Sequence, residues 1–171
     1  EGISEYTRRD TEHANPEHRP TKEQYDRYLW LVEHFRSLGW DNSKLHDASP
    51  FQVVDPGFNA ILIRSCFDLA ALAEELEMDD VAQRNYAWAR QSLESLEDLW
   101  SDQHRQYLCQ DRTTGQLVES SSVGGLLAVF APIRHIRAQA IAQRIEQITA
   151  ECRFSIPSHD PADSRFDAKR Y

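Results

Sequence analysis

Asp55-Pro-Gly-Phe-Asn-Ala-Ile-Leu-Ile-Arg-Ser-Cys-Phe-Asp-Leu-Ala-Ala-Leu-Ala-Glu-Glu-Leu76 is the stretch that decides the fold. Asp55 is a cap residue, and Pro56 falls at the first helical position, where its missing N–H costs nothing. Phe58, Ile61, Leu62, Leu69, Leu72, Ala73 and Leu76 then form a broad apolar face, which predicts a deeply buried helix. A helix that is apolar on more than one side must be covered on more than one side. That requirement favours the inner ring of a two-layer toroid of helical hairpins.

The flanks extend the pattern. Upstream, residues 1–20 are polar, contain Pro16 and Pro20, and read as a loop. Thr21 opens a helix with Gln24 placed to close a capping box. Tyr25, Tyr28, Leu29, Val32 and Phe35 or Arg36 form its stripe, and Gly39 ends it. Residues 40–54 read as irregular. Downstream, Asp79 or Asp80 starts a helix carrying Val81, Tyr86, Ala89, Leu93, Leu96 and Trp100. Tyr107–Asp111 and Gln116–Glu119 flank Arg112-Thr-Thr-Gly115, a small β-hairpin with Gly115 supplying the positive φ. A short apolar helix, Leu126–Phe130, is broken by Pro132. A last helix runs from about Arg134 to Cys152, followed by a loop-like tail. Five helices, one hairpin and no βαβ alternation make an all-α chain built from αα-hairpins.

Composition narrows the function classes. At 171 residues the chain suits one ordinary domain. Its net charge of −9 disfavours a nucleic-acid surface or anchoring to an anionic membrane. No apolar stretch is long enough to span a bilayer, and no secretory signal is visible. Cys66, Cys109 and Cys152 are far apart and odd in number, so reduced thiols in a cytoplasmic protein are expected. No cofactor motif occurs, and no HExxH or second histidine at ligand spacing supports a metal site. Glu1 is not a methionine, and Tyr171 arrives without any fading of composition. We expect a portion of a longer chain.

The run from Tyr6 to Ile63 carries the candidate chemistry. It interleaves charged, amide and aromatic residues without simple periodicity, the mixture a sugar pocket needs. Arg19 precedes Pro20, which restricts it to extended backbone, and Tyr25 lies one turn into the next helix. A fixed guanidinium and a nearby phenol suit a carboxylate or phosphate, although pairing of Arg19 with an acidic neighbour fits equally. Asp10 and His13, one turn apart if helical, form either an orienting pair or a structural hydrogen bond. Asp41, after Trp40, reads as a sugar-site acid or, more simply, as the residue closing a turn after Gly39. Gly124-Gly125 suits close packing better than an anion at a helix start.

The motifs Tyr6-x-Arg8-x-Asp10-Thr-x-His13, Arg19-Pro-Thr21 with Tyr25-Asp-Arg-Tyr28, Ser49-Pro-Phe-x-Val-x-Asp55-x-x-Phe58-Asn-Ala-Ile-Leu62, Phe154-x-x-Pro157-Ser and Phe166-Asp-x-x-Arg-Tyr171 resemble the mannosylglycerate and glucosylglycerate hydrolases. These are members of glycoside hydrolase family sixty-three, with a six-hairpin glycosidase fold. The resemblance covers nearly all of the chain and implies part of an (α/α)6 toroid, residues 1–171 being roughly its middle portion. It implies an inverting mechanism, which needs two carboxyl groups roughly 6.5–9.5 Å apart. The family's acid lies in a Glu-Ser-Gly-x-Asp-Asn-Ser-Pro segment that would precede Glu1. Gly39-Trp-Asp41-Asn-Ser43 imitates that segment but departs from it at Ser37, Leu38 and Lys44. The family's base would follow Tyr171. The resemblance thus implies no catalytic residue in this stretch. It gives Arg19 and Tyr25 as contacts to the glycerate moiety and leaves Asp10 and His13 without an assigned role. The partners expected are a small carbohydrate and the remainder of the barrel. The rival expectation is a helical-repeat interaction module without catalysis.

Overall fold

Thr21 starts the first helix as the sequence predicts. In the computed structural model, which describes residues 3–168, its side chain accepts from the Gln24 N–H and Gln24 answers to the Thr21 N–H. Helix α1 spans Lys22–Ser37. The described residues divide into two compact units, residues 3–51 with 167–168, and residues 52–166.

In the first unit, Asn15 caps a single 3-10 turn, Pro16–His18, before α1. The stretch after α1 departs from the expectation of an irregular 40–54. Asp41 caps a two-turn helix α2, Asn42–Ala48, by accepting from the Ser43 N–H at 3.0 Å. Seven residues are too few to show a period. Neither helix buries a residue fully. Of the α1 stripe, Tyr28 and Val32 are exposed, while Tyr25, Leu29 and Phe35 are half-buried.

The second unit begins with strand β1, Val53–Val54, and helix α3, Pro56–Glu75. Asp55 caps α3 at the Phe58 N–H, 2.8 Å, with Pro56 in the first turn. Helix α4, Asp79–Leu96, returns against it as an αα-hairpin. The turn closes with the Met78 N–H donating to the Ala73 carbonyl at 2.8 Å and Glu77 in the left-handed region at φ 57°. Ala60, Ala70 and Ala73 of α3 and Ala82 and Ala89 of α4 are all buried, and side chains this small let two helices approach closely.

The burial of α3 corrects one expectation. Its covered stripe is Pro56, Gly57, Ala60, Ile63, Ala70 and Ala73. Of the seven apolar residues read as its buried face, only Ala73 is buried. Phe58 is 81% exposed and Leu76, at the C-cap, 61%, with Ile61, Leu62, Leu69 and Leu72 also exposed. At about 100° per residue the two sets lie on opposite sides of the helix. Both sides are apolar, and among the described residues only one is covered.

Three short strands follow: β2, Trp100–Ser101; β3, Gln106–Tyr107; and β4, Gln110–Asp111. The expected hairpin is present. Gly115 has φ 72°, the Gly115 N–H donates to Asp111 at 2.7 Å, and Asp111 pairs with Gln116 at 2.9 Å. Two pairings were not legible beforehand: β2 with β3, and β4 with β1, both antiparallel. Helix α5, Val123–Leu126, runs into a 3-10 turn, Leu127–Phe130, and α6, His135–Glu151, ends the helical part. A β-carbon on Gly125 would sit 2.0 Å from the Tyr107 carbonyl oxygen, so the Gly124-Gly125 pair serves close packing.

The core gathers Ala60, Ile63, Leu96, Leu99, Tyr107, Leu126 and Ile141 among others. A polar strap crosses its edge. Arg137 of α6 donates to Glu97 at 2.6 Å, lies 5.0 Å from the Trp100 ring centre, and Glu97 accepts from the Tyr107 hydroxyl at 2.9 Å. Burial, ahead of that hydrogen bond, pushes the Tyr107 phenol up to about 12. The three cysteines are unpaired. The Cys109 thiol donates to Asp55 at 3.5 Å and is pushed up to about 11, chiefly by burial. No described helix is long and apolar enough to cross a membrane.

Candidate functional site

The Arg19-Pro20-Thr21 corner sets the geometry. Arg19 is extended, φ −112° and ψ 158°, the form the following proline demands. Thr21 then starts α1, which places Tyr25 one turn along with its N–H on the Thr21 carbonyl at 3.0 Å. The Pro20–Thr21 peptide is held from both sides. Arg8 Nη1 donates to the Pro20 carbonyl at 2.8 Å, and the Thr21 N–H donates to Gln24 at 2.9 Å.

Arg8 is the hub of this corner. Its Nε and Nη2 donate to the two carboxylate oxygens of Asp10 at 3.0 and 2.6 Å, a fork-to-fork pair. Its guanidinium carbon lies 4.5 Å from the centre of the Tyr25 ring, within cation–π range. The Arg8 side chain is 17% exposed and that of Asp10 21%. The hydrogen bond from Arg8 holds the Asp10 carboxyl below its usual range and raises Arg8 in return.

Tyr6 completes the arrangement. Its ring stacks on Tyr25 with centres 5.6 Å apart and planes 22° from parallel. Its hydroxyl donates to Asp26, which Lys22 also engages at 2.7 Å. That acceptor bond, before any other influence, pushes the Tyr6 phenol up to about 12. Tyr6, Lys22, Asp26, Arg27 and Trp30 line an open groove of about 990 Å³. Its mixture of aromatic faces with charged donors and acceptors suits a polyhydroxylated ligand.

Each sequence-derived candidate now has a position. Tyr25 is half-buried between Arg8 and Tyr6, and Arg19 belongs to the corner that Arg8 holds. Neither lines the open groove. Asp10 is bonded to Arg8, whereas His13 is exposed. Asp41 is the ionised cap of α2, accepting from the Ser43 hydroxyl at 2.7 Å as well as its N–H. Those hydrogen bonds lower its carboxyl, the wrong direction for a general acid. Arg170 and Tyr171 of the last motif lie outside the described residues. Among the described residues no group of three or more His, Cys, Asp or Glu is placed to hold a metal ion.

Sequence reasoning singled out Arg19 and Tyr25 but not Arg8, Tyr6 or Asp26. The signal for Arg8 was its spacing from Asp10, because alternate residues of an extended segment share a face. Its bond to Pro20, twelve residues on, left no such mark.

The chain resembles known proteins in sequence and in fold. Over its whole length the chain is 40% identical to a mannosylglycerate hydrolase of Thermus thermophilus, covering 41% of that protein. It is 34% identical to mannosylglycerate hydrolase MGH1 of Selaginella moellendorffii, over 99% of this chain and 35% of that one. Two crystal structures of the family sixty-three mannosylglycerate hydrolase of Thermus thermophilus match at 40% identity. The complex with Tris and D-glycerate has a TM-score of 0.92, over 100% of this chain and 41% of that one. The complex with glucose has a TM-score of 0.87, over 98% and 40%. The all-α fold, part of an (α/α)6 toroid with a small β-hairpin insertion, is thereby established. The chain spans about two fifths of the length of the relatives it matches. The family model for mannosylglycerate hydrolase MGH1-like glycoside hydrolase domains matches residues 3–171, and the chain belongs to that family.

Proposed function

We propose that the chain is the middle portion of an inverting (α/α)6-barrel glycoside hydrolase. The intact enzyme hydrolyses a small α-glycoside whose aglycone carries a carboxylate, such as mannosylglycerate or glucosylglycerate. The observation that carries this reading is the match, over the full chain, to a mannosylglycerate hydrolase crystallised with D-glycerate. The Arg19–Tyr25 corner supports it. The residue types suit that ligand: a guanidinium matches a carboxylate with two parallel N–H donors, and a phenol adds an O–H donor.

In this reading Arg19 and Tyr25 hold the glycerate, and the acid and base carboxylates come from parts of the barrel outside residues 1–171. Asp41, an ionised helix cap, takes neither role. The remaining barrel covers the open apolar side of α3, where Phe58, Leu62, Leu72 and Leu76 are more than half exposed. Apolar surface of that extent drives association when left bare.

The test is hydrolysis by the intact gene product of glucosylglycerate and mannosylglycerate, with the anomer of the released sugar followed by NMR. Release of the inverted anomer is the expected result, and retention excludes the mechanism. The 171-residue chain alone is expected to be inactive and to associate in light scattering. Turnover by that chain would place the carboxylates within it and overturn the reading.

A further inference from the structure

All three nitrogens of Arg8 donate within the protein, through three of its five N–H groups. Nε and Nη2 are taken by Asp10, Nη1 by the Pro20 carbonyl, and the guanidinium face lies over Tyr25. A guanidinium so engaged is held in one orientation. It fixes two things at once: the Pro20–Thr21 peptide and the ring of Tyr25. We propose that Arg8, locked in orientation by Asp10, is the positioning residue that sets the Arg19–Tyr25 clamp and so the preference for a carboxylate-bearing aglycone. The inference rests on the reading of Arg19 and Tyr25 as that clamp.

The geometry requires arginine. A planar fork alone can pair with both oxygens of Asp10, donate sideways to Pro20 and lie flat on an aromatic ring. A lysine keeps the charge but has no plane and no fork. Arg8→Lys therefore leaves a cation near Asp10 while releasing the Pro20–Thr21 peptide and the Tyr25 ring. Asp10→Asn keeps the shape but replaces one acceptor oxygen by a donor, which loosens Arg8 less. The open groove by Tyr6 and Lys22 is not needed, since neither Arg19 nor Tyr25 lines it.

The experiment is a substrate comparison in the intact enzyme that carries this segment. One substrate is the glycosylglycerate, and the other is the same sugar on glycerol, which lacks only the carboxylate. Arg8→Lys is expected to lower the ratio of kcat/KM for the first over the second by about tenfold, mainly through KM for the glycerate substrate. Inhibition by free D-glycerate should weaken in parallel. Asp10→Asn should move the ratio in the same direction by about threefold, and it carries the test if Arg8→Lys does not fold. Arg19→Gln is the control. If Arg19→Gln lowers the ratio while the Arg8 and Asp10 variants weaken both substrates equally, or neither, Arg8 only braces the fold and the proposal fails alone. If Arg19→Gln itself leaves the ratio unchanged, the clamp reading falls and takes the proposal with it.

Discussion

Between residues 3 and 51 no side chain is fully buried, whereas residues 52–166 enclose Tyr107, Ile63, Leu96 and Ile141 at 2% exposure or less. The first region is arranged by directional contacts: a capping box, the Arg8–Asp10 fork, the stacking of Tyr6 on Tyr25. Each such contact contributes roughly 0.5–1.5 kcal/mol, and exposed ion pairs less. The second region is arranged by close packing, where a single methylene or a single misplaced carbon is felt. Substitutions in the second region should therefore act on stability, and those in the first on ligand preference.

The sharpest way to break that contrast is Gly125→Ala. The new carbon meets backbone oxygen at 2.0 Å with no flexible side chain to yield. A loss on the order of 3 kcal/mol or more is expected in urea denaturation. A loss below about 1 kcal/mol would mean that the packing there is loose. Next comes a matched pair of truncations. Ile63→Ala, at a fully buried position of α3, should cost about 3 kcal/mol. Leu29→Ala, at a half-buried position of α1, should cost about 1 kcal/mol. Equal losses would erase the distinction between the two regions.

Alkaline pH separates them by a different route. Tyr107 and Tyr6 both hold their protons more tightly folded than unfolded, at about 12 against 10.0. Below the unfolded value this contribution to stability is complete, and it is lost as pH rises towards the folded one. Cys109 acts in the same sense from 9.0 to about 11. Thermal melts should fall steeply over this window. Tyr107→Phe should flatten the fall more than Tyr6→Phe, because burial dominates at Tyr107 and a part-buried hydrogen bond at Tyr6. The smallest expected effect is a gain. Glu77 occupies the left-handed region between α3 and α4. Glu77→Gly should stabilise the hairpin by about 0.5 kcal/mol, read as a small rise in Tm.

Much of the helical framework was legible because its signals are local. Thr21 with Gln24, Asp55 with Pro56, and Gly115 in its turn each act within four residues. Helix α2 was missed because seven residues show no period, and the β1–β4 and β2–β3 pairings because strands of two residues carry no alternation. Around the candidate site, the extended backbone at Arg19 and the helical placement of Tyr25 were legible from the proline restriction and the helix start. Arg8 was not, because its partners Pro20 and Tyr25 lie far along the chain.

Sequence alone determined that the chain is all-α, where its main helices start, and that α3 is apolar on opposite sides. Hydrophobic period and capping chemistry are properties of neighbours along the chain. Only the tertiary structure decided which side of α3 is covered, that Asp41 caps a helix, and that Arg8 grips the corner beside Arg19 and the ring of Tyr25. Those outcomes depend on which distant segments arrive against a given face, and periodicity marks a face for burial without naming what buries it.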